Sequence, residues 1–299
     1  MNIKDLKYLV ALAEHGHFGK AAEASFVSQP ALSMQIMKLE ETLGVKLLER
    51  NNKSVLLTDH GVMIVERARH ILNQVDEVKE IAKQAKDPFA GEFRMGIFPT
   101  LAPYLLPLII PKLSKKYPKL SFYLVEEQTA SLIDKLKQGK LDAALLAVPV
   151  SEKSFDHALL FEEEFLLAVS ANDPLAKSKS MNQQQLQGKN LLLLDEGHCM
   201  RDQALAVCHR MKAKEAQGFR ATSLETVRHM VIANAGMTLM PRLACHAGRH
   251  IAYVPFQKPK PVRSIGFYWR ENSAKRVLLD AMVDEIRFLL KNEKELKIV

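Results

Sequence analysis

Apolar residues spaced alternately four and three positions apart run through the end of the first third of this 299-residue chain. They are Ile64, Ala68, Ile71, Val75, Val78, Ala82 and Ala85. This heptad spacing predicts a helix from Thr58 to about Lys86 whose narrow apolar stripe needs a partner helix. Packing against the preceding residues is the alternative, but a helix of this length is longer than one small domain covers. We therefore predict that the stripe joins two copies of the chain.

Three shorter helices are predicted before the long one. Apolar residues at helical spacing place the first between Ile3 and His15-Gly16-His17, and the second from Phe18 to Ser25. The third begins after Ser28, whose hydroxyl can accept hydrogen bonds from the free N–H groups of the first turn. It includes Pro30 at a position that needs no helical N–H, and it ends near Gly44.

The third predicted helix has two different sides. Its inward positions are Leu32, Ile36, Leu39 and Leu43, and its outward positions are Gln29, Pro30, Ser33, Met34, Met37 and Lys38. Two short helices joined by a turn, the second with small and amide side chains outside, are typical of a helix-turn-helix that enters the major groove of DNA. An ordinary helical bundle fits the periodicity as well. The following residues, 45–58, predict a β-wing with a basic, amide-rich tip, Arg50-Asn51-Asn52-Lys53.

The net charge of +8 does not by itself indicate nucleic-acid binding. Residues 1–90 contain 12 Lys and Arg and 12 Asp and Glu, so the whole positive excess lies in residues 91–299. If the N-terminal part binds DNA, the placement of its individual charges must be responsible.

The helical pattern stops at Asp87-Pro88-Phe89-Ala90-Gly91. Beyond it, short apolar runs alternate with helical segments, which predicts an α/β domain with a largely parallel sheet and a closing helix from Ser273 to Leu290. No stretch approaches the roughly 18 apolar residues of a membrane span, and the N-terminus lacks the apolar core of a signal peptide. We therefore expect a cytoplasmic protein without membrane contacts.

Motifs along the whole chain carry a family resemblance. The N-terminal motifs resemble the signature of the LysR-type transcriptional regulators; they are Phe18, Ala21-Ala22, Ser28-Gln29-Pro30-Ala31-Leu32-Ser33, Gln35-Ile36, Leu39-Glu40, Leu43-Gly44 and Leu47-Leu48-Glu49-Arg50. Later motifs resemble the members of that family that sense hydrogen peroxide; they are Gly197-His198-Cys199-Met200-Arg201-Asp202-Gln203-Ala204 with Cys208, residues 219–226, and Pro99-Thr100 before Pro103-Tyr104-Leu105-Leu106-Pro107.

This resemblance implies an α/β protein with an α-rich N-terminal part. It implies a winged helix-turn-helix over residues 1–58, a linker and dimerisation helix over 59–90, and a periplasmic-binding-protein-like regulatory domain of two α/β subdomains over 91–299. The implied protein is a regulator rather than an enzyme and uses no cofactor or metal. Its implied partners are an inverted-repeat operator in double-stranded DNA, RNA polymerase, and further copies of itself, as dimers and then tetramers. The residues expected at the DNA are Gln29, Pro30, Ser33, Met34, Lys38, Arg50 and Lys53.

The same resemblance makes Cys199 the sensor of hydrogen peroxide. A sensing cysteine reacts as the thiolate, and His198 and Arg201 are neighbours that can lower its pKa from about 8.5. Peroxide would form a sulfenic acid, which Cys208 would convert to a disulfide. If both cysteines lay on one helix, they would be about 13.5 Å apart along its axis, whereas a disulfide needs Cα atoms roughly 4.4 to 6.8 Å apart, so oxidation would refold the segment. By resemblance, the peroxide pocket also contains Thr100, Thr129, Asp202 and Arg263.

Other interpretations of these residues stay open. His198, Cys199, Cys208 and His209 could bind zinc, but the usual short Cys-x2-4-Cys spacing is absent. A thiol oxidoreductase would lack Cys-x-x-Cys and would leave the helix-turn-helix unexplained. The principal alternative is a LysR-type regulator that binds a small organic effector between its two subdomains.

Three residues depart from the family pattern. Met37 stands on the predicted DNA-facing side, where relatives often carry a basic residue, and His209 directly follows Cys208. Cys245 is outside the pattern, and for a lone cysteine an inert, buried thiol is the ordinary expectation. We therefore expect Cys245 to take no part in sensing.

Overall fold

The computed structural model describes residues 1–51, 54–84, 87–195, 214–216, 219–246, 248–293 and 295–299. The chain divides into two units, Met1–Lys86 and Asp87–Val299. Within the described residues of the first unit there are four helices and a two-stranded wing: α1 (Ile3–His15), α2 (Phe18–Ala24), α3 (Gln29–Leu43), β1 (Leu48–Asn51), β2 (Ser54–Leu57) and α4 (Asp59–Gln84).

Side-chain caps and two glycines set the ends of the first three helices. The Asn2 side chain accepts hydrogen bonds from the first-turn amides of α1, and the Ser28 hydroxyl accepts one from the first turn of α3. Gly16 and Gly44 follow α1 and α3 with φ values of +58° and +69°, a left-handed conformation that glycine adopts without a Cβ clash. The predicted limits of these helices are confirmed.

The core of the first unit comes from the inward sides of α1 and α3. Leu9, Leu12, Leu32 and Ile36 are fully buried, and Leu39 is almost so. Leu43, the fourth predicted inward residue of α3, is half-buried and packs against this core. The apolar stripe of α3 thus packs against the core, as its helical spacing predicts, and the opposite side of the helix faces solvent.

The base of the wing fixes the start of α4. The Thr58 hydroxyl donates to the carbonyl of Lys46 and accepts from the amide of Gly61. A Cβ atom added to Gly61 would lie 2.1 Å from the carbonyl oxygen of Leu47, so only glycine allows this approach. The long helix therefore begins at a tightly packed junction with the wing.

The second unit contains an eight-stranded mixed sheet in its described part. The order is β10-β6-β11-β5-β3-β4, and β9 and β12 also pair with β6. The strands are β3 (Gly91–Ile97), β4 (Leu120–Glu126), β5 (Ala143–Ala147), β6 (Phe155–Ser170), β9 (Thr238–Pro241), β10 (Ile251–Val254), β11 (Val262–Arg270) and β12 (Leu296–Ile298). The short strands β7 (Asn190–Leu191) and β8 (Lys214–Glu215) pair separately. The helices are α5 (Ala102–Lys116), α6 (Thr129–Lys137), α7 (Leu224–Ile232) and α8 (Arg276–Leu290).

The prediction of a largely parallel sheet is wrong. Parallel pairs are formed by β3 with β4 and β5, which are joined through α5 and α6. The long strands β6 and β11 pair antiparallel with each other, and β9, β10 and β12 pair antiparallel with β6. Strand β11 is responsible for this departure, because it lies between β5 and β6 and pairs antiparallel with both of them.

Two cores divide the second unit into two α/β subdomains, as the predicted fold class requires. The first core surrounds β3, β5, α5 and α8, and the second surrounds β9, β10 and α7. Strand β6 belongs to both, since Leu160 and Phe161 lie in the first core and Phe165 and Leu167 in the second. Residues between Phe161 and Phe165 therefore lie where the chain crosses from one subdomain to the other.

No helix in the described part of the chain is both long and apolar enough to span a bilayer.

Candidate functional site

The outward side of α3 presents the predicted residues to solvent. Gln29, Pro30 and Lys38 are exposed, and Ser33 is half-buried. Met34 is 63% exposed. These five side chains share one side of a capped helix whose opposite side is buried, which is the arrangement a recognition helix needs to enter a major groove.

Arg50, the sixth predicted DNA residue, lies on β1 opposite Val55. Lys53, the seventh, lies outside the described residues. The two strands around these positions form an antiparallel hairpin, so the predicted β-wing is present.

Glu40 joins the wing to α3, and sequence reasoning assigned it no role. Its carboxylate accepts hydrogen bonds from the amides of Leu47 (2.8 Å) and Leu48 (3.3 Å), and Lys46 lies 3.0 Å from it. Burial alone would raise the pKa of Glu40, but these two amides and the Lys46 ammonium outweigh it and hold the pKa below its ordinary value. The ionised carboxylate thus fixes the base of the wing relative to α3.

The predicted stripe on α4 becomes more exposed along the helix. Ala68 is buried and Ile64 half-buried near the first-unit core, whereas Ile71 is 38% and Val78 66% exposed. Ala85 lies outside the described residues. The second half of the stripe is therefore apolar surface that the described part of its own unit leaves open to solvent.

In the second unit, the structure brings two predicted pocket residues together. Arg263 on β11 donates from Nη1 to the Thr100 hydroxyl (3.1 Å) and from Nη2 to the Thr100 carbonyl (3.2 Å). The guanidinium also lies 5.4 Å from the ring centre of Phe98 and 5.9 Å from that of Phe165, so one aromatic ring from each core faces it. Arg263 and Thr100 are both almost fully buried.

Glu163 completes this cluster and was not predicted. Its Oε1 accepts from Arg263 Nε at 2.7 Å, and its Oε2 accepts from the amide of Leu243 at 3.0 Å. The side chains of Glu163 and Arg263 are both 0% exposed. The charge of the buried Arg263 guanidinium is therefore balanced by a buried carboxylate.

Thr129, the other predicted pocket hydroxyl, begins α6. Thr100 and Thr129 each follow the carboxyl end of a strand, β3 and β4, and these strands are parallel neighbours. Both residues therefore lie at the same edge of the sheet. The Thr129 hydroxyl is buried and makes no hydrogen bond to the described part of the chain.

The predicted sensor itself lies outside the described residues. This holds for Cys199 and Cys208, for His198, Arg201 and Asp202 around them, and for His209 of the zinc alternative.

Cys245, by contrast, is described and is half-buried. Burial raises the pKa of its thiol to about 12, and the nearby Arg242 and Arg228 offset this only in part. Its sulfur lies 3.4 Å from the carbonyl oxygen of Pro241. A thiol with so high a pKa stays protonated at neutral pH and is a poor nucleophile.

A second polar cluster ties α7 to α5. The Tyr104 hydroxyl donates to Glu225 at 2.6 Å, and Arg228 donates to Glu225, to the Tyr253 hydroxyl and to the carbonyl of Ala244. Burial and the carboxylate raise the pKa of Tyr104. Burial opposes ionisation of Glu225, but the hydrogen bonds from Tyr104 and Arg228 leave its pKa lowered. The helix that begins at Leu224 is thereby joined to the first subdomain.

Comparisons with known proteins agree with both units. Residues 3–62 match the family of bacterial regulatory helix-turn-helix proteins of the lysR family, and residues 86–290 match the LysR substrate binding domain. The hydrogen peroxide-inducible genes activator of Dickeya chrysanthemi is 46% identical over 290 residues, 96% of this chain and 95% of that protein. The DNA-binding transcriptional dual regulator OxyR of Escherichia coli (strain K12) is 46% identical over 290 residues, with the same coverage of both chains.

Solved structures give the same relationship. A full-length OxyR variant from Pseudomonas aeruginosa has a TM-score of 0.79 at 36% identity, covering 96% of this chain and 95% of that one. The oxidised form of an OxyR has a TM-score of 0.64 at 41% identity, covering 70% of this chain and 100% of that one. The reduced form has the same TM-score at 39% identity and the same coverage.

Proposed function

The chain belongs to the LysR family of bacterial regulators, among the OxyR-type hydrogen peroxide-inducible gene activators, and from this we propose that it senses peroxide through Cys199 and Cys208. Oxidation of Cys199, followed by a disulfide with Cys208, switches the protein to the form that activates oxidative-stress genes. It acts in the cytoplasm as a dimer through α4 and as a tetramer on an inverted-repeat operator, where it engages RNA polymerase.

The proposed chemistry begins with the Cys199 thiolate. The sulfur attacks one peroxide oxygen, the O–O bond breaks, and the departing hydroxide takes a proton to become water. The Cys208 thiolate then attacks the sulfenic sulfur, the S–O bond breaks, and the departing hydroxide takes a proton to become a second water. The two sulfurs lose two electrons in total, and the peroxide gains them.

The contact between Arg263 and Thr100 is the observation that carries the proposal of a peroxide pocket. Because Arg263 donates to the Thr100 oxygen, the hydroxyl hydrogen of Thr100 is free to donate to another acceptor. A peroxide oxygen that becomes hydroxide would be such an acceptor, and a donor already held in place stabilises the developing charge. Thr129, with its buried hydroxyl at the same sheet edge, offers a second donor.

We propose that side chains of α3 contact base edges in the major groove and that side chains of the wing contact the DNA backbone or the minor groove. Gln29 and Ser33 supply amide and hydroxyl groups, and Pro30 and Met34 supply apolar contacts to thymine methyl groups. Lys38 lies on the same side of α3. Arg50 and Lys53 are assigned to the DNA backbone or the minor groove.

Footprinting of the reduced and the peroxide-treated full-length chain tests this function. We expect an inverted-repeat site whose protected length differs between the two forms. Ser33→Arg should abolish specific protection without unfolding, because a long charged side chain replaces a small group at the groove. Ser180→Arg, an exposed residue of the second unit, is the matched control and should protect normally. Identical footprints from Ser33→Arg and wild type would contradict the assignment of α3.

A further inference from the structure

Phe26 is exposed and has a backbone conformation that aromatic residues rarely adopt. Its side chain is 96% exposed and its φ is +55°. In this left-handed region the Cβ atom crowds the carbonyl oxygen, so glycine and asparagine are favoured there. The only other non-glycine residue with a positive φ in the described ranges is Asn234, which follows that preference. Phe26 thus combines an unfavourable backbone with an unburied ring.

The fold of the turn does not require the phenyl ring. The amide of Phe26 donates to the carbonyl of Glu23, and the amide of Val27 donates to that of Ala22, each at 3.0 Å. Any residue with an N–H group could make these bonds. Val27 provides the apolar contact between the turn and the core. Asparagine or glycine at position 26 would keep both hydrogen bonds and relieve the strain.

The position of Phe26 points to DNA. It lies two residues before Ser28, which caps α3. In a helix-turn-helix the first turn of the recognition helix enters the major groove, so the preceding turn lies along the groove edge. The side of α3 assigned to DNA is itself apolar in places, since Met34 and Met37 are 63% and 40% exposed.

We propose that the Phe26 ring packs against the C5-methyl group of a thymine at the outer edge of each operator half-site. That methyl is the apolar group a base edge offers in the major groove. Contact with it would bury a ring that the free protein leaves in water. Phe26 is then a specificity-determining residue that favours thymine over cytosine, which lacks the methyl. The proposal rests on the DNA-binding part of the proposed function.

Replacement of thymine by deoxyuridine tests the contact, because it removes the methyl group alone. The probe is the fragment that wild-type protein protects, synthesised with deoxyuridine at one thymine position at a time. For the wild-type chain, one outer position in each half-site should weaken binding about fourfold per methyl lost. Phe26→Asn should bind unmodified DNA as weakly as wild type binds a probe with deoxyuridine at the responsive position of both half-sites, and should lose nothing further on that probe.

Thermal unfolding and a second variant separate this contact from a defect in folding. Phe26→Asn should melt at the same temperature as wild type or higher, and Phe26→Gly, which has no left-handed strain, should repeat its DNA-binding result. Met34→Gln, altered elsewhere on the same surface, should keep the wild-type response at the Phe26 position. If Phe26→Asn or Phe26→Gly stays as sensitive as wild type at every thymine, the inference is wrong although the chain binds DNA. If wild type protects no fragment, the proposed function fails instead.

Discussion

Arg263 is held by partners on two sides. Its Nε donates to Glu163 on β6, and its two terminal nitrogens donate to Thr100 after β3. A buried ion pair is tolerated when hydrogen bonds satisfy both members, and removal of either partner is costly. The guanidinium therefore cannot turn away from Thr100 without leaving Glu163 unpaired. This arrangement gives the proposed pocket a rigid cation and a rigid hydroxyl.

Thr100→Val should slow oxidation of Cys199 by peroxide about tenfold or more, because it removes the hydroxyl donor while keeping the shape of the side chain. The rate of thiol loss after mixing with peroxide measures this. Thr238→Val is a matched control, since the Thr238 hydroxyl is also buried and donates to the carbonyl of Leu192 at 2.7 Å. The control should lose about as much stability as Thr100→Val does, but peroxide should oxidise its Cys199 at the wild-type rate. Equal rates for Thr100→Val and wild type would remove Thr100 from the pocket.

Glu163 shows why the sequence alone did not predict the whole cluster of Arg263, Thr100 and Glu163. It stands between two other glutamates, Glu162 and Glu164, which pair with Lys297 and Lys260 at the surface. Strand alternation turns one of the three to the opposite face, but the sequence does not reveal which face is buried. Its partner Arg263 is 100 residues away in the chain. Thr100 and Arg263 were found through family resemblance, which carried no signal for their partner.

At the scale of elements, α4 forms where the heptad spacing of its apolar residues predicts a long helix. Apolar residues spaced alternately four and three positions apart predicted both the helix and its apolar side. That side carries Ile71 and Val78, which are exposed in the described structure. A heptad stripe of this kind is buried in coiled-coil dimers. The exposed half of α4 is thus where a second copy would pack.

Ile71→Glu combined with Val75→Glu should dissociate the dimer expected at micromolar concentration, because four carboxylates would enter one apolar interface. Sedimentation velocity reads the mass directly. The matched control places the same two charges, at the same spacing, on exposed positions beside the stripe, as His70→Glu with Gln74→Glu. The control should sediment as wild type does. A native-size oligomer from the stripe variant would show that α4 is not the interface.

The contact between α3 and the wing predicts a pH dependence. The pKa of Glu40 is lower in the folded chain, so its carboxylate adds stability that is complete above its unfolded pKa and disappears as pH falls through the folded one. At pH 7, Glu40→Gln should cost about 1 to 3 kcal/mol of unfolding free energy, and the difference should shrink in acid. Urea unfolding, monitored by circular dichroism at pH 7 and again in acid, tests this expectation. Glu41→Gln, altered at the exposed neighbour, should change little, and a loss for Glu40→Gln that grows in acid would refute the account.

Helices and sheets differed in how well their sequences predicted them. Helix ends depend on neighbours in the chain, such as Ser28 before α3 and Gly44 after it, and these were predicted correctly. Strand direction depends on which distant strands become neighbours, and the apolar runs of β6 and β11 carry no sign of it. The prediction of a largely parallel sheet was wrong for that reason.

At the scale of the whole molecule, the proposed function requires chemistry in one unit to change DNA binding by the other. Cys199 and Cys208, the proposed sensing cysteines, belong to the second unit, and α3, the proposed recognition helix, belongs to the first. If the disulfide refolds the segment around it, the regulatory domain has two stable forms, and each can favour a different arrangement of DNA-binding heads in the oligomer. Helix α7, which begins at Leu224, is bound to α5 through Tyr104 and Glu225. A change in the segment before α7 would therefore act on a part tied to the first subdomain.

Peptide mass spectrometry of the full-length chain after equimolar peroxide, from an anaerobic and reduced preparation, tests the central claim most directly. We predict a disulfide between Cys199 and Cys208, with Cys245 recovered as a free thiol because burial raises its pKa to about 12. Cys208→Ser should still react but accumulate sulfenic or overoxidised Cys199, since it lacks the resolving thiol. A disulfide that involves Cys245, or an unmodified Cys199 in protein that has activated its promoter, would contradict the account and favour a regulator that binds a small organic effector.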